Sequence, residues 1–206
     1  DLHSFPTRRS SDLEIVKGNR FYLTVSSCHV DWPEIPAGSQ NWIRTPYSEG
    51  IVFDSCDNLE FTDNTISLGY NSRSGSDDTI YVLDVVNSDN VTISGNTINA
   101  LGADHIYGIV VENADNFTVC NNDIDVSSDV HQAVGIDVEG PAVGTVIDNN
   151  ITANGTLVNA VYSGMNWKSA TVSIENNSIV AIGYAANAIE LGGTSATVEG
   201  NAILAK

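Results

Sequence analysis

The sequence predicts an all-β chain wound as a solenoid, and three observations carry that expectation. The first is a recurring stretch, clearest at Asn90-Val91-Thr92-Ile93-Ser94-Gly95-Asn96-Thr97-Ile98. In it apolar Val91 and Ile93 alternate with polar Thr92 and Ser94, the period of two that marks a half-buried strand. The second is spacing. The matching Asn residues are Asn64, Asn96, Asn122, Asn149, Asn177 and Asn201, with steps of 32, 26, 27, 28 and 24 residues, so each coil takes about 24–32 residues. The third is the residue before each Asn: Asp63, Gly95, Asn121, Asp148, Asn176 or Gly200. Only types that tolerate a left-handed backbone appear there, so each coil turns a corner at the same place. Stacked coils would bring the six Asn amides into a ladder that satisfies the polar groups buried at the turn. β-Branched residues and Asn abound and no long 3.6-residue stripe is present, which argues against a helical repeat.

Taken in order, the chain opens on thirteen residues without any repeat. Ser4 to Leu13 resembles the translation of a common short-read sequencing adapter, TCT TTC CCT ACA CGA CGC TCT TCC GAT CT. Residues 1–13 are therefore expected to be non-native, with the native N-terminus missing, and they are left out of the fold. Removing them takes away two acids and two bases and leaves the net charge at −18. Residues 14–206 are expected to form the solenoid. Gly18-Asn19 matches Gly95-Asn96 in type, and the next ladder Asn is Asn64, 45 residues on. That gap predicts an insertion at about 22–49, rich in rings and prolines. Each later coil also has an earlier strand, marked by Ile51 and Phe53, Leu83 and Val85, Ile109 and Val111, and Ile136 and Val138. Residues 70–78 read as a polar loop. The chain stops on a repeat with no capping element, so the expectation is a fragment truncated at both ends.

Composition narrows the partners. Aromatic residues are 7% and charged residues 17%, so the coils are packed with aliphatics and stacked backbone. A net charge of −18 argues against nucleic acid and anionic membrane surfaces as partners. It is compatible both with a plain solvated surface and with attraction for cations, Ca²⁺ foremost. Cys28, Cys56 and Cys120 are an odd set without zinc-like spacing. No stretch is long and apolar enough for a transmembrane helix.

The paired strands and the Asn corner resemble the right-handed parallel β-helix of the pectate-lyase-like superfamily over residues 50–206. The run Asp89 to Ile98 is also similar to adhesin-like surface proteins of methanogenic archaea. The resemblance implies fold and an extracellular or cell-surface location rather than an activity.

Candidate sites follow from strand alternation. Asp84 and Asp137 share one outward position of the early strand; Asp54, Glu112 and Glu139 share another, with Glu190 the same feature in the last coil. Stacked about 4.8 Å apart, such carboxylates repel, raise one another's pKa or hold a cation. Paired acids also suit glycoside hydrolysis or proton abstraction. The other reading is ordinary outward acids on an acidic surface. The resemblance implies that this face carries the active site in related enzymes, yet their basic proton acceptor, Gly-His-Gly and Arg-Ile-Lys segments are missing. His105 and His131 stand at coil entrances, where a polar residue needs no function. Trp32, Trp42 and Tyr47 could stack on sugars or simply cover the coils. Five Asn-X-Ser/Thr matches, at Asn90, Asn116, Asn150, Asn154 and Asn176, agree with export, although Asn and Thr recur here for structural reasons. Three functions stay open: an adhesin-like surface that binds polysaccharide or cell-surface glycan, a polysaccharide-active lyase, hydrolase or epimerase, and a structural spacer. A unique acid, base and aromatic cluster would favour the enzyme; repetition alone favours the other two.

Overall fold

The computed structural model describes residues 14–17, 23–26, 29–32, 47–69, 79–102, 104–164 and 170–206, with side chains from Gly50 onward. The backbone is a parallel β-helix with three faces built from two sheets. Face 1 stacks β1 (Glu14–Lys17), β4 (Tyr47–Asp54), β7 (Thr79–Val86), β10 (His105–Glu112) and β13 (Gln132–Glu139). Face 2 stacks β2 (Leu23–Ser26), β5 (Leu59–Thr62), β8 (Thr92–Ser94), β11 (Asp115–Cys120), β14 (Val143–Ile147), β16 (Thr171–Glu175) and β18 (Ser195–Glu199). Face 3 stacks β3 (His29–Trp32), β6 (Thr65–Gly69), β9 (Thr97–Leu101) and β12 (Asp123–Ser127) and ends at β19 (Ala202–Ala205). Two long strands, β15 (Asn150–Ser163) and β17 (Ser178–Leu191), run from face 3 straight into face 1 and join these two faces in one sheet. Every registered pair is parallel, as a solenoid requires.

Alternation decides what lies inside. Ile66, Ile98, Ile124, Ile151 and Ile179 stack in register on face 3, and all five are buried. Phe61, Ile93, Val119, Val146 and Ile174 do the same on face 2. Phe53 meets Phe61 edge to face, with ring centroids 5.7 Å apart, and fills one coil. Where the stack ends, Val198 and Ile203 of the last coil are about half exposed.

Two corners per coil rely on left-handed residues. Between faces 2 and 3 these are Asp63, Gly95, Asn121, Asp148, Asn176 and Gly200, all at positive φ. The six following Asn residues form a continuous ladder in which each Nδ2 donates to the Oδ1 of the next coil at 2.9–3.1 Å. That Oδ1 also accepts from the backbone N–H of the previous ladder Asn, at 2.9–3.0 Å. The second Nδ2 hydrogen of each of the later five reaches a carbonyl one coil back, as from Asn122 to Ile93. The corner between faces 1 and 2 carries a second, exposed series, in which Asn116 donates to Asn90 and Asn90 to Asn58.

Of the expected insertion at 22–49, residues 22, 27–28 and 33–46 lie outside the described residues. β2 pairs with β5 and β3 with β6, so residues 23–26 and 29–32 belong to the coil. In sequence Gly18-Asn19 comes right after β1, a face 1 strand, whereas Gly95-Asn96 follows β8 on face 2. Residues 1–13 lie outside the described residues.

Candidate functional site

Face 1 differs from the other two because its outward columns are aromatic and acidic. The strands there shift phase: in β10 Gly108 and Ile109 are both buried, with Tyr107 outward before them and Glu112 outward after. Register then aligns four outward columns. One reads Thr79, His105, Gln132 and Leu157. The next reads Tyr81, Tyr107, Val134, Asn159 and Asn187. The third reads Asp84, Val110, Asp137, Tyr162 and Glu190, and the fourth Asp54, Val86, Glu112 and Glu139.

Several of these side chains touch. Tyr81 and Tyr107 stack with centroids 4.9 Å apart and 29° between planes. His105 and His131 stack nearly parallel at 5.5 Å. Gln132 Oε1 sits 3.3 Å from His105 Nδ1 and accepts from the Tyr107 hydroxyl at 3.3 Å. Asn187 donates to Asn159 Oδ1 at 3.1 Å and to Glu190 Oε2 at 2.9 Å. The result is a strip of flat rings continued by amides, with carboxylates along one side.

The acids are not equivalent. Asp84 and Asp137 share a column, but Val110 stands between them. Glu112 and Glu139 are direct register neighbours. Asp137 is only 1% exposed, and its Oδ1 has no hydrogen-bond partner. Burial is the main cause that holds its carboxyl well above the usual range; the Glu139 charge, a side-chain hydrogen bond with Glu139, and the Asp84 and Glu112 charges add to it. The raised pKa favours the protonated, neutral form of Asp137 beside Glu139. Burial, then the Asp137 charge, also raises the Tyr107 and Tyr162 hydroxyls, so both stay protonated donors at neutral pH.

Asp84, Glu112, Asp137 and Glu139 thus all stand on face 1. Trp32 ends β3 on face 3 and Tyr47 opens β4 on face 1, so their backbones are on different faces. Their side chains, and all of Trp42, lie outside the described residues. Sequence reasoning missed Tyr81, Tyr107 and Gln132. Tyr81 and Tyr107 precede the inward residues Leu83 and Ile109 by the same two positions, a signal hidden by the phase shift at Gly108. No group of three or more His, Cys, Asp or Glu converges on a metal position among the described residues. Nor is any helix among them long and apolar enough to cross a membrane.

A family model described as a right handed beta helix region matches residues 14–203. No curated protein and no solved structure matches the chain.

Proposed function

The chain belongs to the right-handed β-helix family, and from that premise we propose that it is an extracellular, adhesin-like surface protein whose face 1 binds polysaccharide along the coil stack. The observation that carries this reading is the stacked Tyr81–Tyr107 pair, continued by Gln132, Asn159 and Asn187. Flat rings pack on the apolar faces of sugars, and amides and hydroxyls of fixed direction bond their hydroxyls. Outward residues of β5, β8, β11, β12 and β16 on faces 2 and 3 are mainly Thr, Ser, Asn and acids, without a ring, and the exposed Tyr184 lies in β17 where that strand passes from face 3 to face 1. An array of soluble polysaccharides, with and without Ca²⁺, tests the proposal. Retention of at least one glycan is expected, lost in Tyr107→Ala with the fold intact by circular dichroism. If no glycan is retained, the spacer reading takes its place.

A second reading is favoured by one observation, the buried Asp137 carboxyl two residues from Glu139, whose register neighbour is Glu112. A protonated acid close to an ionised one is the arrangement that glycoside hydrolysis uses. The burial of Asp137 keeps binding first, because an acid catalyst has to reach its substrate. Release of shorter oligosaccharides by the wild type, abolished in Glu139→Gln, would put hydrolysis in its place.

A further inference from the structure

We propose that Asn154 is an N-glycosylation site and that its glycan packs on the exposed apolar side chains beside it. This rests on the extracellular part of the preceding reading and stands apart from the glycan track on face 1. Five Asn-X-Ser/Thr matches run along the coils, and the fold separates them. Asn90 and Asn116 are exposed, but their amides are already engaged. Asn116 Nδ2 donates to Asn90 Oδ1 at 2.7 Å, and Asn90 Nδ2 to Asn58 Oδ1 at 3.2 Å. Asn150 Nδ2 donates to Asp123 Oδ1 at 2.8 Å. Asn176 is a left-handed corner residue whose Oδ1 packs against Gly200, where a Cβ would collide with it. Asn154 differs from all four. It is exposed on the strand β15, outside the left-handed corners, and its side chain makes no hydrogen bond among the described residues. Thr156, which completes the motif, is exposed as well; its hydroxyl donates to the Val130 carbonyl at 2.8 Å and keeps its lone pairs outward.

The surroundings of Asn154 are the independent observation. Asn154 pairs in register with Ile182, and the registered pairs Gly155–Gly183 and Leu157–Ala185 bracket Thr156 and Tyr184. Tyr184 is 94% exposed, Leu157 47% and Ile182 38%, so a ring and two aliphatic side chains stand in water around this one motif. Exposed apolar groups gathered in one place mark a contact surface. A sugar on Asn154 supplies the contact from within the chain: its apolar face lies on the Tyr184 ring and its hydroxyls turn to water. The donor for such a transfer is a polyprenyl-diphosphate-linked oligosaccharide. The Asn154 Nδ2 forms a bond to the sugar C1 while the C1–O bond to the diphosphate breaks. The diphosphate leaves with that electron pair, and the nitrogen gives up one proton to solvent. At Asn90, Asn116 and Asn150 the same nitrogen would first have to leave its acceptor, which undoes an existing bond.

The test secretes the full chain from a eukaryotic host behind a host leader and makes the unmodified chain in a bacterial cytoplasm. Peptide mass spectrometry of the secreted, folded fraction reads the occupancy of all five sites. Asn154 is expected to carry most of the glycan, and Asn154→Gln to lose it. The glycosylated wild type is expected to melt about 2–4 °C above the unmodified chain. Tyr184→Ser should keep the occupancy and lose that gain. An unoccupied Asn154 overturns the proposal. So does equal occupancy of Asn90, Asn116 or Asn150 in folded protein, because the fold would then select nothing. An undiminished melting gain in Tyr184→Ser overturns the packing of the glycan on the ring. The host leader makes occupancy independent of native export, so an empty Asn154 leaves the extracellular reading standing. Retention of free polysaccharides by Asn154→Gln reads the face 1 track separately, and its loss or survival leaves the occupancy result unchanged.

Discussion

Asn122 holds three successive coils together at one position. Its Oδ1 accepts from the Asn96 amide and backbone N–H, and its Nδ2 donates to Asn149 and to the Ile93 carbonyl. At 2% exposure no water can replace those bonds. Asn122→Ala is therefore expected to destabilise by about 1–3 kcal/mol in a denaturant titration. Asn201 makes the same bonds on one side only and is half-buried, so Asn201→Ala should lose clearly less. Equal small losses would mean that the ladder is not what holds the corner. The ladder was legible in the sequence because a left-handed corner admits few residue types and Asn follows it every time. The Asp137–Glu139 pair was legible only as a spacing, since two acids on one side of a strand say nothing of what covers them.

That pair sets a pH dependence with a definite sign. The folded state holds the Asp137 proton more tightly than the unfolded chain does. Between the two pKa values the folded state carries more protons, so stability falls as pH rises. The penalty is absent below the unfolded value, about 3.9, and is complete above the folded one. Asp137→Asn keeps a donor toward Glu139 and removes the titration. Its melting temperature should exceed that of the wild type at pH 8 and match it near pH 4. A constant difference across that range would show that the fold does not raise the Asp137 pKa.

At the scale of the element, face 1 depends on a close approach that only a small residue allows. Gly135 sits at the phase shift of β13, and a Cβ there would lie 2.5 Å from the Ala160 carbonyl oxygen and 2.5 Å from Ile151 Cγ2. Gly155, in β15, is a control, because its Cβ would find nothing nearer than the His131 oxygen at 3.3 Å. Gly135→Ala should destabilise by about 1–3 kcal/mol through overpacking, and Gly155→Ala by no more than about 0.5 kcal/mol. Denaturant midpoints of both variants check this; equal effects would mean that the stack relaxes around the added methyl. The phase shift also explains what the sequence hid. Alternation reads cleanly from Ile109 to Glu112, but Gly108 breaks it, so Tyr107 falls outside the pattern that located Glu112. The first coil was hidden differently. Gly-Asn suits both corners, and only the pairing of β2 with β5 assigns residues 23–26 to their place.

At the scale of the whole molecule, the matched family region and the first strand both begin at residue 14. Among the described residues, nineteen strands build the three faces, the first of them at residue 14. A solenoid is held by contacts between neighbouring coils, and residues 1–13 carry no copy of the repeat in their sequence, so no coil interface is expected from them. The segment is also neutral overall, with two acids and two bases, so the chain keeps its −18 and its long-range repulsion when the segment is removed. A chain spanning residues 14–206 should therefore melt at the same temperature as the full sequence, with the same denaturant slope, because the surface exposed on unfolding is the same. A lower melting temperature at unchanged slope would mean that residues 1–13 cover the edge of β1, β2 or β3. A smaller slope would mean that they bury core of their own. Either result would return the segment to the fold and undo its reading as translated adapter.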